Sequence, residues 1–250
     1  MDVTYMREGE ALVTVKKNVS ANSRATFNME KDIGQKNASI KVKSDVPVIP
    51  ERAQYRNNRR EGHDSIGTTV PLNDFFLAEG STAWGFTEWV LVQNPNNSDV
   101  EVALTYMTSG GPKPQAPFTM PANSRKTIKV NDQVPNSDLS TKVHGSKPII
   151  AERAMYWSNT PDGLEACHDQ IGSGPAHLTF YLADGQTSDT RETWTLVQNP
   201  NSSNVRIAIY YLPENGTPFK AFMDAVPANS RKTYNMAGGR GNSWESFYTG

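Results

Sequence analysis

Apolar and polar residues alternate along much of the chain. Val102, Leu104 and Tyr106 are interleaved with Glu101, Ala103 and Thr105, and Ile207, Ile209 and Tyr211 with Arg206, Ala208 and Tyr210. A period of two sends successive side chains to opposite faces of an extended backbone, so these segments are expected to be half-buried strands. Further strands are predicted at Glu88 to Val92, Thr127 to Val130, Ser140 to Val143 and Pro148 to Trp157. Between them lie Asn-Pro-Asn, Gly-Gly-Pro, Pro-Ala-Asn-Ser and Pro-Asn-Ser-Asp, which supply turn chemistry. No segment carries a helical stripe. Short strands roughly 8 to 15 residues apart predict an all-β protein of antiparallel β-sandwiches with an immunoglobulin-like shape.

The pattern repeats. Trp89-Val-Leu-Val-Gln-Asn-Pro-Asn returns as Trp194-Thr-Leu-Val-Gln-Asn-Pro-Asn, and Ala-Asn-Ser-Arg occurs at residues 21–24, 122–125 and 228–231. The spacing of about 105 residues is that of a tandem array. It divides the chain into a partial copy at 1–74, a complete one at 75–178 and a second partial copy at 179–250. The first copy lacks the equivalent of the opening strands, and the third lacks the closing ones.

Comparing copies assigns faces. Ile150, Glu152, Ala154 and Tyr156 match Ile49, Glu51, Ala53 and Tyr55, whereas Ile149, Ala151, Met155 and Trp157 stand opposite Val48, Pro50, Gln54 and Arg56. The unchanged face is expected to be the core side. That would bury Glu51 or Glu152, and a buried carboxylate needs a cationic or hydrogen-bonding partner. Arg24, Arg125, His63 and His168 are the candidates. Trp89 and Trp194 are expected in the core beside Leu91 and Leu196.

Candidate chemistry is limited by the same comparison. His63-Asp64 recurs as His168-Asp169, which with Glu51 or Glu152 offers a base and carboxylates. No nucleophile recurs beside it, since Ser65 becomes Gln170 and Gly62 becomes Cys167. A structural polar network is therefore expected, comprising Glu51, Arg24, His63 and Asp64 in the first copy and Glu152, Arg125, His168 and Asp169 in the second, with Arg231 in the third. Asn131, Asp132, Asn136, Ser137 and Asp138 resemble a calcium loop, but the acidic set is not kept in the other copies. The four histidines and one cysteine offer no zinc spacing. No catalytic residue, metal site or cofactor is expected. Trp84 and Trp157 are the surface aromatics that could contact a ligand such as a glycan.

Formal net charge is −1, and lysines and arginines are dispersed, which argues against nucleic acid as a partner. The absence of a long apolar run argues against membrane insertion, and no signal peptide is visible. One cysteine excludes an intrachain disulfide framework.

Phe-Phe-Leu-Ala-Glu-Gly (75–80), Trp-Val-Leu-Val-Gln-Asn-Pro (89–95), Pro-Ala-Asn-Ser-Arg (121–125), Pro-Ile-Ile-Ala-Glu-Arg-Ala-Met-Tyr-Trp (148–157) and the His-Asp-x-Ile-Gly turn resemble a tandem β-sandwich repeat module. Such modules occur in large secreted or surface-exposed bacterial proteins of poorly defined function. The resemblance implies an extracellular, non-enzymatic structural segment: a stalk, surface-layer component or filament subunit. Its expected partners are copies of itself, joined head to tail by strand complementation, or neighbouring repeats of a longer chain. An adhesin that binds glycan or protein is the alternative.

Overall fold

The computed structural model describes residues 1–158 and 165–239. Trp244 and Arg240, in the last copy, lie outside the described residues. The chain is all-β and antiparallel, and its central part is curled into a half-barrel. The first part forms β1 (Asp2–Met6), β2 (Val13–Lys16), a short helix α1 (Met29–Ile33), β3 (Ser39–Lys43), β4 (Glu51–Arg56) and β5 (Glu61–Ile66). The central part forms β6 (Leu72–Leu77), β7 (Phe86–Asn94), β8 (Val100–Thr108), β9 (Gly111–Pro114), β10 (Phe118–Met120), β11 (Ser124–Lys129), β12 (Leu139–Trp157) and β13 (Ala166–Ile171). The last part forms β14 (Trp194–Asn199), β15 (Val205–Tyr211), β16 (Phe219–Val226) and β17 (Ser230–Asn235).

β12 organises the centre. Two strands expected separately, at Ser140 to Val143 and Pro148 to Trp157, are one 19-residue strand. Its first half lies between β8 and β6, with Val143 opposite both Leu104 and Phe75. Its second half lies between β7 and β13, with Ala154 opposite Trp89 and Asp169. The register shifts between His144 and Ile149, where the strand passes from one set of partners to the other. Gly145 allows that bend, because a Cβ there would sit 2.6 Å from the Lys147 carbonyl oxygen and 2.8 Å from Ile149 Cγ2. Phe75, Leu77, Val90, Val92, Val102, Leu104, Val143 and Ile149 meet inside the curl. Each fully buried large aliphatic or aromatic side chain contributes about 1.5–3 kcal/mol relative to exposure.

The same pairings recur in the flanking copies. Val3 lies opposite Val15 and Val42 in the three-stranded sheet β2-β1-β3, as β8 lies between β10 and β12. Leu196 pairs with Thr233 as Leu91 pairs with Thr127. Turns recur too. Asn22, Asn123 and Asn229 occupy the left-handed region at φ 53°, 51° and 48°, which asparagine tolerates better than most residues. In each copy the following serine hydroxyl donates to the carbonyl three residues back, at 2.7 to 2.8 Å. Asn94 and Asn199 each donate to three carbonyls that close the neighbouring loops. The Ala-Asn-Ser-Arg motif is thus built as a self-bonded turn.

Two face assignments are reversed. In β12, Ile149, Ala151, Arg153 and Met155 are buried, whereas Ile150, Glu152 and Tyr156 are only partly covered. Glu51 is exposed. In β7, Val90, Val92 and Asn94 point inward, so Trp89 and Leu91 lie on the opposite, half-buried face. Both faces make contacts: one packs the core, and the other meets the preceding copy. Invariance between copies therefore did not identify the core side of the strand, and in the first copy Ile49 and Tyr55 of that face are 86% and 60% exposed.

Candidate functional site

The expected polar network is split between the two faces of β12, because adjacent residues on a strand point in opposite directions. Glu152 and Asp169 share the outer face. There they meet the β4–β5 hairpin, whose strand β5 runs beside β13. Arg52 Nη2 donates to Glu152 Oε1 at 2.8 Å and pairs with Asp169 Oδ2. His63 Nδ1 lies 2.8 Å from Asp169 Oδ2, and its Nε2 lies 3.1 Å from the Tyr156 hydroxyl. Arg56 covers the Tyr156 ring at 4.1 Å from its centroid, a cation–π contact. Asn57 donates to Glu165 at 2.9 Å. These groups form a polar seam between hairpins of successive copies.

Burial and the Arg52 charge press His63 towards its neutral form, down to about 4. The neighbouring Asp64 carboxylate opposes this, but burial prevails. Burial raises the Glu152 carboxyl, while Arg52 pulls it the other way. Asp64 is exposed and acts on His63 only through its charge.

His168 faces the other way. Arg153, almost wholly buried, donates from Nη1 to the Glu79 carbonyl and from Nη2 to Glu79 Oε2, both at 2.8 Å. His168 Nδ1 is 3.4 Å from Arg153 Nη2. Beside them Glu88 is fully buried, with both carboxylate oxygens against Gly80, where a Cβ would stand 2.8 Å from each. Burial pushes Glu88 up to about 8, partly offset by Arg153. Glu79, Glu88, Arg52 and Arg153 escaped the sequence reading. The unchanged pair Arg52 and Arg153 was the available signal. His168, Asp169 and Glu152 are not gathered as a catalytic set, since the histidine contacts Arg153 and Glu79 while both carboxylates contact Arg52.

The arginines of the repeated turns lie at a second junction. Arg125 and Arg231 hydrogen-bond to Thr127 and Thr233. Burial works against their charges, and an acid of the preceding copy supports each one, Glu8 for Arg125 and Asp138 for Arg231. Arg125, Trp89 and Thr127 line a cleft of about 420 Å³ with Arg7, Glu8 and Lys36 of the first copy. Arg24 is exposed. Beneath these arginines, Gln93 Nε2 lies 3.2 Å from Met6 Sδ, and Gln198 Nε2 lies 3.5 Å from Met107 Sδ. The same contact joins the first copy to the second and the second to the third.

Trp84 is 75% exposed and Trp157 37%. They adjoin, with Trp157 Nε1 donating to the Trp84 carbonyl at 2.9 Å and its ring stacking on Phe86. Asn131 accepts from the Glu88 backbone N–H and donates to the Phe86 carbonyl, each at 2.9 Å, so it serves the loop rather than a cation. Among the described residues, no group of three or more His, Cys, Asp or Glu is placed to hold a metal. Among them also, no helix is long and apolar enough to cross a membrane.

No protein-family model and no curated protein matches the chain. Among solved structures it is similar to Thermotoga maritima 1070, at 10% identity over 41% of this chain and 94% of the other, with a TM-score of 0.37. It is also similar to the Anabaena sensory rhodopsin transducer, at 23% identity over 35% of this chain and 99% of the other, with a TM-score of 0.30. Likenesses this distant assign no function.

Proposed function

We propose that this chain is a non-enzymatic structural protein of tandem immunoglobulin-like copies, packed in series as part of an extracellular stalk, surface layer or filament. The observation that carries this reading is the repeated junction, Gln93 on Met6 and Gln198 on Met107, each paired across the strands with an arginine of the repeated turn, Arg125 or Arg231. A contact that uses the same surfaces from one copy to the next is heterologous and need not close. It suits neighbouring repeats of one chain and head-to-tail association between chains. Sedimentation of the purified protein across micromolar concentrations, with electron microscopy of the same samples, tests the self-associating form. Elongated particles that lengthen with concentration are expected, and a compact monomer throughout would overturn it.

A second reading, an adhesin, is favoured by the adjoining exposed Trp84 and Trp157, since aromatic faces stack on apolar ligand surfaces. Specific binding on a glycan array, abolished by Trp157→Ala without loss of folding, would establish it. An array without signal would remove it.

A further inference from the structure

Resting on the self-association reading, we infer that residues 178–182 are a donor strand that pairs antiparallel with the free edge of β3 in a second copy of this chain. The template is inside the molecule. β6 pairs with the first half of β12 through Leu77 opposite Thr141, Phe76 opposite Lys142, Phe75 opposite Val143 and Asp74 opposite His144. Phe75-Phe76-Leu77 returns as Phe180-Tyr181-Leu182, and Thr141-Lys142-Val143 as Ile40-Lys41-Val42. The donor and acceptor patterns are both kept, yet within the chain they are not paired. Among the described residues β3 is bonded to β1 alone and is the edge of its sheet. Residues 178–182 form no strand.

Exposure shows what the pairing would correct. Phe75 and Leu77 are 2% and 3% exposed, whereas Phe180 and Leu182 are 59% and 72% exposed. An extended apolar segment beside a free strand edge invites strand addition, in which backbone hydrogen bonds supply affinity and alternate side chains supply specificity. The template fixes the register: Leu182 opposite Ile40, Tyr181 opposite Lys41, Phe180 opposite Val42 and Thr179 opposite Lys43. Phe180 and Leu182 then enter the apolar face of the acceptor, against the sheet that carries Val3 and Tyr5. Tyr181 stays outside within reach of Lys41, as Lys142 Nζ stands 5.8 Å from the Phe76 ring centroid.

The test is cross-linking of the full chain in a Cys167→Ser background with a short bifunctional thiol reagent. Thr179→Cys with Lys43→Cys places both thiols at one register position. Thr179→Cys with Ser39→Cys separates them by about 13 Å along the strand. The first pair is expected to give a ladder of covalent dimers and larger species, at least tenfold more than the second, and Phe180→Asp is expected to abolish it. Because Phe180 is exposed in the free chain, that variant should fold, which circular dichroism checks. Equal cross-linking of both pairs, no ladder, or a cross-link confined to single chains overturns the donor-strand assignment. Sedimentation of the wild type separates the two levels. Large particles without the ladder refute this register and leave self-association standing, whereas a monomer refutes both.

Discussion

β12 and its counterpart in the first copy have closely related sequences and different fates. Residues 139–157 form one strand with partners along both halves, whereas residues 39–56 break into β3 and β4. Ile149 is fully buried, and its counterpart Val48 is 41% exposed. Two causes act together. Gly145, which permits the bend of β12, is replaced by Ser44, whose hydroxyl instead bonds the Val46 carbonyl at 2.6 Å. Pro50 stands where Ala151 lies in the strand, and proline cannot donate to a ladder. The second cause is the neighbours: β6 and β7 flank β12, and among the described residues no equivalents flank β3 and β4. Burial here is a property of the neighbouring strand as much as of the residue.

The largest test of this comparison removes one ring in each context. Phe75→Ala should cost about 3–5 kcal/mol in denaturant unfolding, while Phe180→Ala, measured on dilute monomer, should change stability by less than about 0.5 kcal/mol. Equal costs would show that the two segments share one environment.

Glu88 gives the next effect, since the central copy buries a carboxyl where the third copy has Thr193. Its folded pKa is raised from 4.5 to about 8, so the folded state retains a proton that the unfolded chain releases. The stability linked to this group is full below about pH 4.5 and falls as pH rises to about 8, by up to about 1.4 kcal/mol per pH unit. Glu88→Gln should flatten that slope in unfolding curves taken from pH 5 to 8. An unchanged slope would place the buried proton elsewhere.

The two matching arginines sharpen the comparison at smaller magnitude. Arg153→Met removes the charged hydrogen bonds to Glu79 and should cost about 1.5–3 kcal/mol. Arg52→Met, at a partly exposed seam, should cost about 1 kcal/mol. It should also loosen β4–β5 from β13, read as faster amide exchange in β5. Protection of β5 that stayed at the wild-type level would show that the seam does not depend on this pair.

Much of the architecture was legible in the amino-acid sequence. Alternation located the strands, and the repeated Asn-Pro-Asn and Ala-Asn-Ser-Arg phrases located their turns, because turns are set by local backbone preference and side-chain-to-backbone hydrogen bonds. The polar network was expected within each copy, but His63 of the first copy meets Asp169 of the second, and Arg52, which was not among the expected residues, pairs with both Asp169 and Glu152. A two-residue period separates the faces of a strand without saying which one turns inward. Glu152 and Arg153 therefore ended in different networks.

The sequence by itself determined the β class and the turn geometry, both of which depend on residues close in the chain. Tertiary structure decided the rest: that two expected strands are one, that the invariant face of β12 meets the hairpin of another copy, and that Phe75 is covered while Phe180 is not. Those outcomes depend on contacts between residues far apart in the chain, where the same apolar side chain is core or surface according to whether another strand lies beside it.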